Sequence, residues 1–387
     1  MEFDLTWILL GLPLVFMLGW AASRMDLRQL RTQNRDAPKA YFKGLNFLLN
    51  EQQDKAIDAF IEAVQNDPDT SELHFALGNL FRRRGEYDRA VRVHEHLLSR
   101  GDLGRGDRDR AQHALALDFL KAGLLDRAED ALVRLEGTAF EGEARLARLA
   151  IFERSRDWPQ AADVARRMHA ADQGDFSTRQ AHYLCEQAQS ELAAGHSAGA
   201  IALLEQALVA APQAARARIE LARIAQHAGN GAQALGILRE LCSRNSAALP
   251  LAAHLLTEIA RASGREAEVL ELLTEHYANA PSLDVLDAIV ALTDHAGAPA
   301  DTQEARMWYL RHLEHEPSLV AAGKWLAGER LEHEQFHPQI QAALDAAVRP
   351  LTRYRCAACG FEARQHFWHC PGCQAWDSYP AKRVEEL

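Results

Sequence analysis

The chain has 387 residues, of which 48% are hydrophobic and 25% are charged, and its formal net charge is -11. This length allows two or three ordinary domains or one long array of repeats. The acidic balance weighs against a general nucleic-acid-binding protein, because a polyanion would be repelled, and the abundance of Ala, Leu, Arg and Glu favours helices over sheets.

The first element is an apolar segment, residues 5–22, that carries no charged side chain over 18 residues. This is close to the minimum length for a helix that crosses a bilayer. Acidic residues precede the segment and four arginines follow it, at positions 24, 28, 31 and 35. The positive-inside rule predicts a transmembrane anchor over residues 1–23, a basic linker over residues 24–36 and a cytoplasmic body. The main alternative is a cleaved secretion signal, but such signals carry their basic residues before the apolar run.

The middle of the chain repeats itself with a period near 34 residues, as the spacing of Gly44 and Gly78 illustrates. Small residues let two antiparallel helices approach closely, glycine fits the turn between them, and proline ends the second helix. Each hairpin leaves an apolar face that only the next hairpin covers. The pattern resembles tetratricopeptide repeats and predicts an all-α superhelix over residues 37–283. Degenerate repeats or capping helices are expected over residues 284–348.

The first helices of such repeats line a concave groove, and the resemblance implies that segments of other proteins bind there. Projection of the repeat onto the chain predicts five side chains on the groove side: Asn79, Arg82, Arg83, Arg216 and Arg223. Their amide and guanidinium groups suit acidic groups on a partner. The alternative is that they are solvated side chains on an exposed helix face.

The segment over residues 349–387 contains two Cys-x-x-Cys pairs separated by ten residues: Cys356, Cys359, Cys370 and Cys373. Each pair can form a turn, or knuckle, whose two sulfurs point at one ion, and four thiolates complete a tetrahedral shell. The sequence therefore predicts one bound metal ion, iron or zinc, in a structural site with no position left for water. Disulfides or a redox-active dithiol are the alternatives, and both fit a cytoplasmic location poorly.

Other residues of this segment have predicted supporting roles. Gly360 and Gly372 fit knuckle turns that need unusual backbone angles. His366 and His369 are interpreted as surface residues, because the cysteines already satisfy the ion. Four aromatic side chains exceed what so small a core uses, and they are buried either within the segment or against helices or a partner: Phe361, Phe367, Trp368 and Trp376.

The order of these parts, with FWHCPGCQAW at residues 367–376, resembles the lipopolysaccharide assembly protein B family over nearly the whole chain. The resemblance implies a rubredoxin-like domain in which the four cysteines are the metal ligands. It also implies a non-enzymatic adaptor at the inner membrane, with a short periplasmic N-terminus, that regulates lipopolysaccharide synthesis. The implied partners are the FtsH protease, the lipid A pathway deacetylase (LpxC) presented to it, and a membrane regulator of lipopolysaccharide supply.

Other functions fit parts of the sequence. A rubredoxin-type electron carrier needs iron that cycles between two oxidation states, and a repeat array also suits a general assembly scaffold at the inner membrane. Residues 349–387 contain six basic and four acidic side chains, too small an excess for a phosphate footprint, so no nucleic acid is expected. Because the sequence has no phosphate-binding glycine loop, nucleophile elbow or HExxH helix, no enzyme is predicted.

Overall fold

A computed structural model describes the following residues: 16–17, 20, 42–47, 49–50, 52–66, 70–293, 303–329 and 334–387. Of the predicted anchor over residues 1–23, only three residues belong to this part, and the rest of that prediction lies outside it, as does the linker over residues 24–36. No helix among the described residues is long and apolar enough to cross a membrane. The chain divides into two compact units, residues 1–155 and 156–387.

In the part of the first unit that the structure describes, most residues lie in helices. Its helices are α1 (Gln53–Asn66), α2 (Ser71–Arg83), α3 (Tyr87–Ser99), α4 (Arg105–Ala122), α5 (Leu125–Val133) and α6 (Glu141–Ser155). Each helix contacts the next one along the chain. Two apolar clusters, made mostly of the alanines, leucines and phenylalanines of the repeat pattern, fill the space between these helices, so stacking buries the faces that single hairpins would leave open.

Glycine explains how α2 and α3 come together. Gly85, in the turn between them, has a φ of +79°, a left-handed conformation that favours glycine. Gly78 lies against α3, because a Cβ atom added to it would be 2.5 Å from Nε2 of His94. The glycine at this position of the repeat therefore marks a close approach of two helices, as the sequence predicts.

The second unit continues with helices of the same kind. They are α7 (Trp158–Ala170), α8 (Ser177–Ala193), α9 (Ser197–Ala210), α10 (Ala215–His227), α11 (Gly231–Arg244), α12 (Ala253–Ser263), α13 (Glu266–Asn279), α14 (Leu283–Thr293), α15 (Gln303–His315), α16 (Leu319–Ala327) and α17 (His337–Val348). A 3-10 helix, Ser246–Ala252, precedes α12. One apolar cluster extends from α10 to α16.

The chain ends in a small ribbon after α17. Strand β1 (Tyr354–Arg355) pairs antiparallel with β2 (Glu362–Ala363), and a second pairing joins His369 to Trp376. A 3-10 turn, Val384–Glu386, follows. The predicted architecture of helical repeats with a C-terminal four-cysteine ribbon is confirmed.

Candidate metal centre

The four cysteines lie in two equivalent turns. The N–H of Cys356 and that of Cys370 each donate to the carbonyl oxygen five residues later, at 2.9 Å in both turns. The N–H four residues after each of these cysteines donates back to the cysteine carbonyl, at 2.8 Å in the first turn and 2.9 Å in the second. The two Cys-x-x-Cys pairs therefore form matching knuckles, as their spacing predicts.

The backbone of the second knuckle differs from the prediction. Gly360 has a φ of +77° and takes the left-handed conformation expected of it. The prediction for Gly372 is wrong, because the left-handed residue of the second knuckle is Gln374, with a φ of +60°. The two turns have the same length, and the left-handed residue directly follows the second cysteine in each. That residue is Gly360 in the first knuckle and Gln374 in the second. At Gly372, a Cβ atom would instead lie 3.4 Å from the side chain of Phe361.

The sulfur atoms are arranged for one ion. The Sγ atoms of Cys356 and Cys373 are 3.8 Å apart, and those of Cys359 and Cys370 are 3.7 Å apart. All four lie within 4.8 Å of one another. A tetrahedral ion with metal–sulfur bonds of about 2.3 Å requires sulfur separations of about 3.8 Å, whereas a disulfide requires about 2 Å. This geometry fits a metal ion and excludes disulfides between these atoms.

Hydrogen bonds favour the thiolate form of the first cysteine in each knuckle. Burial alone would raise the pKa of Cys356, but a hydrogen bond with the Ser378 hydroxyl and the N–H groups of Cys359 and Ala358 outweigh it and lower the pKa to about 6. Cys370 likewise has a lowered pKa, because the N–H groups of its own turn overcome burial. A metal ion binds thiolates rather than thiols. The segment thus holds one metal ion through four cysteine sulfurs.

The ribbon packs against the helices of the second unit through Trp376. Its ring stacks on His182 of α8, with centroids 5.0 Å apart, and meets Trp158 and Tyr183 edge-on at 6.0 and 5.6 Å. Nε2 of His182 lies 2.7 Å from Oδ2 of Asp377, and the His182 side chain is 6% exposed. The aromatic surplus of the ribbon is therefore buried against repeat helices at this point.

A second contact joins the ribbon to α14. The Tyr354 hydroxyl donates to Oδ2 of Asp284 at 3.0 Å, and the Arg383 guanidinium donates to both carboxylate oxygens of Asp284. Arg383 also covers the Tyr354 ring, 4.0 Å from its centroid. These groups are partly or fully buried, so their charge-assisted bonds fix the ribbon on the helix.

Two consecutive glutamates in the terminal turn cap helices. Glu385 accepts the N–H of Leu319 at 2.6 Å, at the start of α16, and Glu386 accepts the N–H of Leu283 at 2.7 Å, at the start of α14. The first turn of a helix has N–H groups without intrahelical partners and favours negative charge. The C-terminus is thereby tied to two repeat helices.

The remaining predictions for the ribbon have mixed outcomes. Trp368 contacts His182, whereas Phe367 packs on Tyr379 within the ribbon. The interpretation of His366 as a surface residue is wrong, because it is half-buried and its Nε2 bonds the Tyr379 carbonyl at 3.0 Å. His369 is half-buried too and stacks on a tryptophan ring at 4.3 Å. Neither histidine belongs to the ligand cluster, which consists of the four cysteines.

Two of the five predicted groove side chains form hydrogen bonds with other side chains of the first unit. Arg82 donates to Oδ1 of Asp118 at 2.9 Å and to Oδ1 of Asn79 at 2.5 Å. Asp118 is fully buried, and its other oxygen is 2.5 Å from Nδ1 of His94. This arrangement links α2, α3 and α4, so Arg82 and Asn79 have a structural role in addition to any contact with a partner.

The other three predicted groove residues differ in exposure. Arg216 is buried and forms ion pairs with Glu186 at 2.9 Å and Glu220 at 2.7 Å. Burial opposes its charge, but the carboxylate of Glu220 outweighs burial and raises the pKa of Arg216. Arg83 and Arg223 are exposed. The solvent-accessible positive charge among the predicted groove residues is therefore concentrated at these two.

The residues that hold the ribbon in place are not predictable from the sequence: His182, Asp284, Arg383, Glu385 and Glu386. Each is an ordinary polar residue of a helix or tail, and its partner is far away along the chain. The only local signal was the surplus of aromatic side chains, which indicated docking without naming the surface.

Comparison with known proteins agrees with an array of helical repeats that ends in a metal-binding ribbon. A family model described as a rubredoxin metal binding domain matches residues 354–379, and tetratricopeptide repeat models match residues 73–109 and 185–253. Lipopolysaccharide assembly protein B of Escherichia coli K12 is 31% identical over 378 residues, covering 96% of each chain. Its Haemophilus influenzae Rd counterpart is 26% identical, again over 96% of each chain. The chain therefore belongs to the lipopolysaccharide assembly protein B family.

Proposed function

We propose that the chain is a membrane-anchored, non-enzymatic adaptor that regulates lipopolysaccharide synthesis by presenting the lipid A pathway deacetylase (LpxC) to the FtsH protease. The observation that carries this proposal is the joining of a repeat array to a ribbon whose metal shell is closed by four sulfurs. Repeat arrays offer extended surfaces to other proteins, and a closed shell leaves no site for substrate water. The relatives are named for lipopolysaccharide assembly.

The exposed arginines support a role in client binding. Arg83 and Arg223 are available to acidic groups of a partner. Asn79, Arg82 and Arg216 are engaged with other side chains of the protein, and in this proposal they hold the first helices of the repeats in register beneath the client.

The proposed anchor over residues 5–22 gives the adaptor its location. An 18-residue uncharged segment followed by arginines supports a single pass through the inner membrane, with the body in the cytoplasm. Confinement to the membrane that holds the protease raises the effective concentration of a bound client without new contacts at the protease. A membrane regulator of lipopolysaccharide supply is the further proposed partner.

The test is the half-life of the deacetylase in cells that carry the chain, lack it, or carry a form without residues 1–23. We expect the half-life to lengthen both when the chain is absent and when only the anchor is missing. An anchor replaced by an unrelated single-pass helix of the same orientation is the matched control. A half-life unchanged by complete removal of the chain would defeat the proposal.

A further inference from the structure

A cavity of about 340 Å³ opens between the ribbon and the repeat helices of the second unit. One wall comes from the start of α8, the loop before α10 and the 3-10 helix before α12, and the other comes from the ribbon. Its polar lining residues are Thr178, His182, Gln213, Asn245, His366 and Asp377. The volume falls within the range of pockets that hold small molecules or protein side chains.

Part of the cavity lining is apolar. It includes Leu251 of the 3-10 helix before α12 and Trp368 of the ribbon, together with several alanines. Leu251 and Trp368 are half-buried and pack against the apolar core of the second unit. An apolar group that enters the cavity therefore moves from water to an apolar surface that packs on the core, which is favourable.

The charge of the cavity lining argues against an anionic ligand. Among the described residues that line it, none is lysine or arginine, and Asp377 is the acidic one. Its carboxylate lies against Nε2 of His182 at 2.7 Å. An anionic ligand would lose water beside this carboxylate without meeting a lysine or arginine of the lining, which is costly. The lining therefore disfavours a phosphate or a carboxylate, and its apolar part favours an apolar group.

Unused amide and hydroxyl groups surround the opening. Within the described part of the chain, no group bonds to the side chains of Thr178 and Gln213, both of which are exposed. Asn245 uses its Nδ2 on the Gln213 carbonyl at 3.3 Å, which leaves its Oδ1 as an acceptor. Side-chain amides can donate to and accept from a peptide backbone at once.

We propose that this cavity, which we name the ribbon pocket, receives an uncharged apolar side chain from an extended segment of a partner protein. Gln213 and Asn245 bind the backbone of that segment, and Leu251 and Trp368 contact its side chain. The identity of the partner as the deacetylase rests on the proposed function, whereas the chemistry of the pocket does not.

The ribbon pocket exists only when the ribbon is folded in place. Trp368, Asp377 and Tyr379 supply one of its walls, and all three belong to the segment that the four cysteines organise. A small module with so little core depends on its metal ion for folding. The metal ion therefore supports partner binding indirectly, by holding one side of the pocket.

The test uses the full-length, metal-loaded protein in detergent, labelled with 5-fluorotryptophan, and the probe acetyl-Gly-Leu-Gly-amide. The signal of Trp368, assigned with Trp368→Phe, should shift saturably with half-saturation on the order of 1–10 mM, as expected for one buried side chain and a few hydrogen bonds. The leucine-to-aspartate analogue of the probe should cause no such shift. Absence of any shift at about 20 mM, or equal shifts from both peptides, would overturn the proposal.

Variants separate the pocket from nonspecific binding. Ala247 lines the cavity and is exposed, so Ala247→Trp fills the space without disturbing the core and should weaken probe binding at least ~10-fold. Ala232→Trp, at an exposed position of α11, is the matched control and should bind like the parent. Gln213→Ala should weaken binding several-fold. Unchanged binding in Ala247→Trp would contradict the assignment.

The purified deacetylase provides the last comparison. If it binds the parent and Ala232→Trp but binds Ala247→Trp at least ~10-fold more weakly, the pocket contacts the client. Equal binding by all three would overturn the pocket as a client site. If the leucine probe binds as described and the deacetylase does not bind the parent at all, the pocket stands and the proposed function fails.

Discussion

Removal of the Glu385 carboxylate should weaken the second unit at a defined place. This carboxylate accepts the N–H of Leu319 at 2.6 Å and that of Val320 at 3.1 Å, and it accepts the hydroxyl of Ser318 at 2.7 Å. In Glu385→Ala, the first N–H groups of α16 lose this partner. Leu319 is 40% exposed, so its N–H can turn to water, but Val320 is 1% exposed and its N–H cannot do so easily.

The expected loss follows from these bonds. A hydrogen bond to a charged group contributes about 1.5–3 kcal/mol, a lost helix cap costs about 1 kcal/mol, and a negative charge at a helix N-terminus contributes about 0.3–1 kcal/mol. These contributions overlap, because they describe the same carboxylate. We therefore expect Glu385→Ala to lower the free energy of unfolding by about 2 kcal/mol and Glu385→Gln, which keeps an acceptor oxygen, by about 1 kcal/mol.

The assay combines denaturant unfolding with hydrogen exchange of the amides in α16. Glu205→Ala is the matched control, because Glu205 is exposed on α9 and has no ion pair or hydrogen bond within the described part of the chain. Exchange should accelerate at the start of α16 in the Glu385 variants and stay unchanged in the control. A Glu385→Ala variant within about 0.5 kcal/mol of the control, with unaltered exchange in α16, would refute the reasoning.

Three further variants probe other parts of the fold. Gly78→Ala places a Cβ atom 2.5 Å from the ring of His94 and should lower the free energy of thermal unfolding by about 1–3 kcal/mol. Cys356→Ser should release the metal ion and unfold the ribbon, which metal analysis and near-ultraviolet circular dichroism would detect. Burial lowers the pKa of His312, whose Nδ1 bonds the Tyr277 hydroxyl, below its value in the unfolded chain. The unfolded state then binds the proton more readily, so the free energy of unfolding should fall as the pH drops from about 7 to 5. Denaturation measured at several pH values should show a smaller fall for His312→Gln than for the parent.

Each of these variants has a control in the same chain. Gly106→Ala adds a methyl group where no atom lies within 4 Å and should be neutral or stabilising. Cys242→Ser changes a half-buried thiol of α11 and should retain the full metal content. His227→Gln, which replaces an exposed histidine, is the matched control for His312→Gln. Metal retention in Cys356→Ser, or a steeper pH dependence in His312→Gln, would contradict the corresponding argument.

The repeat hairpins were predictable because their causes are local. A glycine in a turn and a small residue at a helix crossing recur at a fixed spacing, and the left-handed Gly85 and Gly229 confirm the reading. At Arg156, between the end of α6 and the start of α7, the left-handed conformation, with a φ of +58°, falls on an arginine where other turns of this kind have glycine. A backbone requirement met by an arginine leaves no signal in the sequence pattern.

The metal centre was predictable for the same reason, because the ligands of each knuckle lie three residues apart. The position of the ribbon on the repeat helices was not predictable. His182 and Asp377 are separated by 195 positions, and Asp284 and Arg383 by 99. Pairs so distant along the chain come together only through the stacking of all the helices between them, and no local period encodes that outcome.

The claim that the chain delivers a client to a protease can be tested most directly with purified components. FtsH and the full-length chain would be placed in one lipid nanodisc, and the rate of deacetylase degradation would be measured with the parent and with the chain omitted. The account predicts that degradation accelerates when the parent chain is present, with no change for an unrelated FtsH substrate. Equal rates of deacetylase degradation with and without the chain would contradict it.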